Sequence, residues 1–178
     1  MVLYRRNYLP GGTFFFTVTL RDRRSTLLTD HIHALRKAMH DTARDRPYRT
    51  AAIVILPEHL HAIWTLPEGD TNYPGRWRTI KARFTRNLLA GGLPLRKTTN
   101  REYNLWQNRY WEHTIRNPDD LRRHADYIHF NPVKHGHVSR VADWPFSSFH
   151  RLVARGELPM DWGGTVPEFP HGGLGEPT

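Results

Sequence analysis

The chain has 178 residues, which suits one globular domain with a buried core better than two full domains. Its 26 Lys and Arg residues exceed its 17 Asp and Glu residues, and the formal net charge of +9 favours a polyanionic partner such as DNA or RNA. Cysteine is absent, which excludes disulfides, thiolate metal sites and thiol nucleophiles. The N-terminus lacks the apolar segment of a secretory signal and no apolar run approaches the length of a membrane span, so we expect a cytoplasmic protein.

The first element is a basic, aromatic arm. Tyr4, Arg5 and Arg6 precede a Pro-Gly-Gly turn at residues 10–12. Aromatic rings and guanidinium groups stack on bases and contact phosphates, so the arm suits unpaired nucleic acid. The same side chains would equally serve to attach the arm to the domain. Residues 13–21 are rich in Phe and Thr and are predicted to form a central strand.

A helix and two strands follow. Asp30 is predicted to be the N-cap of the helix, and Pro47 to end it. The apolar positions of this helix recur at helical spacing: Ile32, Leu35, Met39 and Ala43. Residues 53–66 contain two apolar runs separated by Pro57 and Glu58, which is typical of two short strands joined by a tight turn.

A second predicted helix begins at Gly75 and is strongly basic. Its core-facing stripe is apolar and consists of Trp77, Ile80, Phe84 and Leu88. Its remaining surface carries five cations: Arg76, Arg78, Lys81, Arg83 and Arg86. Residues 75–101 contain no Asp or Glu, whereas a solvated helix face usually mixes both signs. Phosphate contacts are therefore the favoured explanation, with an ordinary solvated face as the alternative.

The last two elements complete the fold. Residues 105–115 are predicted to form a fourth strand because they are rich in Trp and Tyr. Residues 117–120 then indicate the start of a helix, which Pro132 is predicted to end at about Asn131. The predicted class is α+β, with a ferredoxin-like βαββαβ antiparallel sheet and an added C-terminal catalytic helix. We expect one catalytic domain over residues 1–150 and a partly disordered tail over 151–178.

Three His-x-His pairs occur, and one has the geometry of a metal site. His59 and His61 lie on the second strand of the central hairpin, so both imidazoles leave the same face of the sheet. Residues 31–33 begin a helix, where positions two apart do not face each other, and residues 135–137 lie in a predicted loop. Two sheet-surface histidines without a ligand role remain the alternative.

Tyr127 and Asn131 are the downstream candidates, because positions four apart on a helix share a face. A phenol has a pKa of about 10 and is a weak nucleophile at neutral pH unless a cation or base assists it. A divalent ion held by two imidazoles and an amide oxygen keeps its full charge for a phosphate oxygen. The alternative is a core tyrosine followed by a helix-capping asparagine.

Five stretches of the chain carry a family resemblance. They are residues 4–6 with 11–17, then 56–61, 106–111, 127–136 and 144–149. Together they resemble the HUH single-strand transposases with one catalytic tyrosine, and most closely their REP-associated tyrosine transposase branch. The stretches occur in the family's order and span nearly the whole chain without its tail.

The resemblance implies a role for each site residue. His59 and His61 match the pair that binds Mg²⁺ or Mn²⁺, and Asn131 matches the third ligand, where related transposases carry the longer Gln. Tyr127 matches the nucleophile that becomes linked to a DNA 5′-phosphate and frees a 3′-hydroxyl. Glu58 stands where this branch often has Asn, and we expect it to be a non-ligand.

The implied activity is a metal-dependent single-stranded DNA endonuclease and strand transferase that acts on palindromic hairpin repeats. By analogy, nine residues would contact DNA: Tyr4, Arg5, Arg6, Arg76, Arg78, Lys81, Arg83, Arg86 and Lys134. A monomer is expected, although related enzymes outside the branch are dimers. Two alternatives stay open: a non-catalytic regulator that binds hairpin DNA or RNA, and a metal hydrolase that uses activated water and leaves Tyr127 structural.

Overall fold

A four-stranded antiparallel sheet organises the computed structural model, which describes residues 7–99 and 103–163. The strands are β1 (Thr13–Thr19), β2 (Arg49–Ile55), β3 (His59–Thr65) and β4 (Trp111–Thr114), in the spatial order β2-β3-β1-β4. The helices are α1 (Leu27–Asp30), α2 (Ile32–Asp45), α3 (Tyr73–Ala90), α4 (Pro118–Lys134) and α5 (Phe149–Ala154). The predicted ferredoxin-like order is confirmed, and so is the central position of β1 between β3 and β4. The predicted arm at Tyr4, Arg5 and Arg6 lies outside the described residues.

One face of the sheet packs against α2 and α3. Phe14, Phe16 and Val18 alternate along β1 toward this face and are fully buried. Trp64 of β3 stacks on Trp77 of α3 with ring centroids 4.0 Å apart. The predicted apolar stripe of α3 is confirmed, because all four of its residues are at most 1% exposed. This face is therefore the larger hydrophobic core.

The opposite face of the sheet is covered by α4. Phe15, Val54 and Ile63 point to this side and form a second buried cluster with Ile128 of α4. The register pairs Thr17 of β1 with His61 of β3 on the same face. The added helix therefore lies directly over the part of the sheet that carries the histidines.

The start of the first long helix differs from its prediction. Asp30 ends the short helix α1, where its carboxylate accepts a hydrogen bond from Thr26 Oγ1 at 2.6 Å. Helix α2 begins at Ile32, and His31 before it makes no side-chain capping bond. The prediction was wrong because the Asp30 carboxylate binds Thr26 across α1, and His31 takes the N-cap position of α2.

The fourth strand is shorter than predicted, because residues 105–110 are held by packing more than by strand pairing. Trp106 forms a single bridge with Leu20, and its ring packs edge-on against Phe84. The aromatic residues of this stretch indicated a strand, but several of them contact the core from a loop.

Helix α4 passes through Pro132 and ends at Lys134, beyond its predicted end. Gly136 has a φ of 71°, and its N–H donates to the Val133 carbonyl at 3.0 Å. The His137 N–H donates to the Pro132 carbonyl at 2.9 Å. These two bonds form a Schellman motif, so Gly136 ends the helix and the missing N–H of Pro132 is tolerated one turn earlier.

The C-terminal part of the described chain covers the outer edge of β2. Ser148 N–H donates to the Ile53 carbonyl at 2.8 Å, and Ile55 N–H donates to the Phe146 carbonyl at 2.9 Å. Helix α5 crosses the predicted domain boundary at residue 150, and that boundary stays a prediction. None of the helices in the described residues is both long enough and apolar enough to cross a membrane.

Candidate active site

Strand β3 carries the predicted histidine pair on the face covered by α4. His59 and His61 are both 0% exposed, and their ring centroids lie 4.9 Å apart. Leu60 and Ala62 point to the other face and belong to the larger core. The alternation of the strand therefore places both imidazoles together at the interface between β3 and α4.

Each imidazole is held through Nδ1. His61 Nδ1 lies 2.8 Å from Thr17 Oγ1, and His59 Nδ1 lies 2.8 Å from Glu58 Oε1. His59 Nε2 is buried and has no hydrogen-bond partner among the described residues, which is costly for a polar atom unless it binds a ligand. The pKa of His61 lies well below its usual range, first because burial disfavours the imidazolium and then because His59 is close. A neutral imidazole is the form that binds metal ions.

Helix α4 places three side chains along one stripe that faces the histidines. The Tyr127 ring centroid lies 5.4 Å from that of His61, and the His135 ring centroid lies 5.4 Å from that of His59. Asn131 is 0% exposed and lies midway between Tyr127 and His135, four residues from each. The structure thus brings His59, His61 and Tyr127 together, and helical spacing puts Asn131 on the same face of α4 as Tyr127. The donor types of two imidazoles and an amide oxygen fit a divalent ion.

Tyr127 is positioned by its ring and contacted by a cation at its hydroxyl. The ring is 3% exposed and packs edge-on against Phe15 and His61. Lys134 donates from Nζ to the phenol oxygen at 3.3 Å, and partial burial lowers the pKa of Lys134. A positive charge close to a phenol oxygen favours the ionised form of the phenol.

Two features of this site were missed from sequence. The sequence predicts His135 in a loop pair and Lys134 only as a DNA contact. Both residues lie in the last turn of α4 or at its C-cap, where they reach the histidines and Tyr127. Recognising Gly136 as the residue that ends the helix would have placed both of them on the Tyr127 face.

The basic residues of α3 do not form one free surface. Arg78 and Arg86 are exposed. Arg76 is 2% exposed and donates to Asp70 at 2.6 Å and to three backbone carbonyls, so it has a structural role. Arg83 binds Thr42 and Asp45, and Lys81 donates to the Gln107 carbonyl at 2.8 Å. The expected surface of five free cations is therefore wrong for Arg76, Lys81 and Arg83, which are bound by residues outside α3.

A second cluster of metal-binding residue types lies near the start of α4. The ligand atoms of His113, Asp120 and His124 lie within 4.8 Å of one another. The Asp120 carboxylate already accepts hydrogen bonds from His113 Nε2 and Arg116 N–H, each at 2.9 Å. His124 Nδ1 lies 2.8 Å from the Asp120 carbonyl, which only accepts, so this nitrogen carries a hydrogen and the lone pair of the neutral ring is on Nε2. These contacts join β4 to the first turns of α4.

His129 gives a pH-dependent contribution to stability. It is 1% exposed, its Nε2 lies 3.1 Å from Ser148 Oγ, and burial, with a smaller effect of Arg151, lowers its pKa to about 4. The unfolded state takes up this proton near pH 6.5, before the folded state does. His129 therefore lowers the free energy of unfolding as the pH falls from about 6.5 toward 4, by about 3 kcal/mol in total.

We expect the free energy of unfolding to decrease less in His129→Gln than in the wild type when the pH is lowered from 7 to 4.5. Urea unfolding at the two pH values measures this difference. The other histidines are unchanged, so the difference between the two proteins isolates His129. An identical pH dependence in the two proteins would contradict this assignment.

Two relatives and one solved structure cover almost the whole chain, whereas no family model matches it. A REP-associated tyrosine transposase of Escherichia coli (strain K12) is 56% identical over 169 residues, which are 95% of this chain and 95% of that protein. A Haemophilus influenzae protein is 48% identical over 163 residues, which are 90% of this chain and 93% of its own length. A solved structure of a REP-associated tyrosine transposase bound to a REP hairpin is similar with a TM-score of 0.87 and 54% identity, covering 100% of this chain and 99% of that one.

These similarities extend over the sheet, α4 and the site between them. Identity above half of the positions over nearly the full length, together with the same fold, shows common family membership. The chain therefore belongs to the REP-associated tyrosine transposases and is a tyrosine transposase.

Proposed function

We propose that the chain is a metal-dependent single-stranded DNA endonuclease and strand transferase that acts on palindromic hairpin repeats. The observation that carries this proposal is the contact between the Tyr127 ring and the buried histidine pair, at 5.4 Å from His61. The related solved protein is bound to a REP hairpin, which supports hairpin DNA as the substrate. One chain supplies both β3 and α4, which supports a monomer as the active form.

Three residues would hold the divalent ion. His59 and His61 would bind through Nε2, because their Nδ1 atoms are already engaged, and Asn131 would bind through its amide oxygen. A bound Mg²⁺ or Mn²⁺ would act as a Lewis acid on the scissile phosphate. The neutral ligand set leaves the full charge of the ion for the phosphate oxygens.

Tyr127 is the nucleophile of the proposed reaction. Its phenol oxygen bonds to phosphorus, the bond from phosphorus to the 3′ oxygen breaks, and the 3′ oxygen leaves as a hydroxyl after taking up a proton. The phenol proton passes to solvent, and Lys134 at 3.3 Å stabilises the phenolate and contacts the phosphate. The phosphotyrosine link conserves the bond energy for joining to a second strand.

The DNA surface is proposed to include Lys134, Arg78 and Arg86 with the N-terminal arm at residues 4–6. Arg78 and Arg86 are exposed two turns apart on α3, as expected for residues that follow a phosphate backbone. We expect the double variant Arg78→Ala with Arg86→Ala to weaken hairpin binding and to lower the slope of log affinity against log salt by roughly 2. Fluorescence anisotropy over a salt series measures both quantities.

Arg155→Ala is the matched control, since this exposed arginine lies after α5. It is expected to leave the slope unchanged. An unchanged slope in the α3 double variant would remove α3 from the proposed DNA surface.

The test of the function is an adduct assay. The protein is incubated with Mn²⁺ and a hairpin oligonucleotide that has a single-stranded flank, then run on a denaturing protein gel. A covalent protein–DNA band supports the transposase mechanism. Cleavage without that band indicates a water-using hydrolase, and binding with neither indicates a hairpin-binding regulator.

A further inference from the structure

We propose that Glu58 is a positioning residue that fixes the orientation and the tautomer of His59 for metal binding. The inference deepens the proposed function, because it rests on His59 acting as a metal ligand. Glu58 Oε1 lies 2.8 Å from His59 Nδ1, and the Glu58 side chain is 15% exposed. The contact is therefore largely shielded from solvent.

The backbone around Glu58 is held by hydrogen bonds from three directions. Leu20 N–H at the end of β1 donates to the Glu58 carbonyl at 2.7 Å. Leu28 N–H of α1 donates to the Pro57 carbonyl at 3.1 Å, and Leu56 N–H donates to the His59 carbonyl at 2.9 Å. The turn between β2 and β3 is thus fixed before the side chains are considered, so the carboxylate meets the imidazole in one geometry.

The chemistry of the pair selects one tautomer. A carboxylate is ionised at neutral pH and only accepts hydrogen bonds, so His59 Nδ1 must carry the hydrogen. The lone pair is then on His59 Nε2, the buried atom that has no hydrogen-bond partner among the described residues. A carboxylate behind a ligating imidazole also raises the basicity of the ligand.

His61 shows the contrast. Its Nδ1 faces the hydroxyl of Thr17, which can donate or accept, so this contact by itself does not select a tautomer. Of these two contacts to the histidine pair, only the one from Glu58 brings a charge. We therefore assign to Glu58 the larger effect on metal affinity.

Mn²⁺ binding to the full chain, followed by electron paramagnetic resonance of free Mn²⁺, tests the proposal without DNA. Glu58→Ala is expected to weaken binding 10- to 100-fold, roughly the range for outer-shell partners of ligating histidines. Glu58→Gln is expected to lie between wild type and Glu58→Ala, because its amide oxygen still accepts from Nδ1–H but brings no charge. Glu68→Gln, at an exposed loop position, is the matched control and is expected to bind as wild type.

A second readout needs no metal. Long-range ¹H–¹⁵N correlation spectra report which nitrogen of His59 carries the hydrogen, and we expect Nδ1 in wild type and a mixture of tautomers in Glu58→Ala. Unchanged Mn²⁺ affinity in Glu58→Ala, or an Nε2–H tautomer in wild type, would overturn the proposal. If Glu58→Ala weakens Mn²⁺ binding but wild type forms no DNA adduct, the proposed function fails and the role of Glu58 stands.

Discussion

Tyr127→Phe is expected to abolish the covalent protein–DNA adduct while leaving hairpin affinity nearly unchanged. The substitution removes the one oxygen that bonds to phosphorus, and loss of a nucleophile costs at least about 10³-fold in rate. The ring keeps its contacts with Phe15 and His61. The substitution removes the hydrogen bond from Lys134, and loss of that bond changes the free energy of unfolding by about 1 kcal/mol.

Tyr103→Phe is the matched control for this variant. Tyr103 also has a lysine over its ring, with Lys97 Nζ 5.2 Å from the ring centroid, and it is paired with Lys97 in an isolated bridge. The control is expected to form the adduct at the wild-type rate. An adduct that persists in Tyr127→Phe would mean that another residue is the nucleophile.

His61→Gln is expected to remove both the adduct and the stabilisation of the folded protein by Mn²⁺. A ligand at 100 times its Kd stabilises the native state by about 2.7 kcal/mol, so Mn²⁺ raises the Tm of wild type by several degrees. Loss of a direct ligand weakens binding by at least about 100-fold, beyond the usual effect of outer-shell partners. Thermal unfolding with and without Mn²⁺ measures the change.

His113→Ala separates the two histidine clusters. His113 belongs to the cluster that joins β4 to α4, so this variant is expected to keep the Mn²⁺ response even if its basal Tm is lower. If the Mn²⁺-dependent rise in Tm were lost in His113→Ala and kept in His61→Gln, the ion would bind at the His113 cluster and not at the histidines that contact Tyr127.

The fold and the placement of the histidine pair were predictable because their patterns are local. Alternation along β3 put His59 and His61 on one face, and the spacing of three and four along α3 marked its buried stripe. These periods follow from the backbone geometry of each element and need no knowledge of distant residues.

The predictions were wrong where a residue is bound by a segment that is distant in the sequence. Arg76 appeared to be a surface cation because α3 contains no acid, yet its partner Asp70 precedes the helix and its carbonyl acceptors include Arg46 and Pro47. The predicted end of α4 at about Asn131 was wrong. The helix continues through Pro132 and is ended by Gly136, which has a positive φ. Periodicity within one element carries no information about such partners.

The placement of Tyr127 and Asn131 one turn apart on α4 has a consequence for the fate of a cut strand. A turn of helix has a fixed rise of about 5.4 Å, and Ile128 anchors this turn against the sheet. A DNA end tethered to Tyr127 would stay beside the cation instead of swinging into solvent. The cleaved strand would then be retained in position for attack by an incoming 3′ end, and strand joining would be faster than release of the strand.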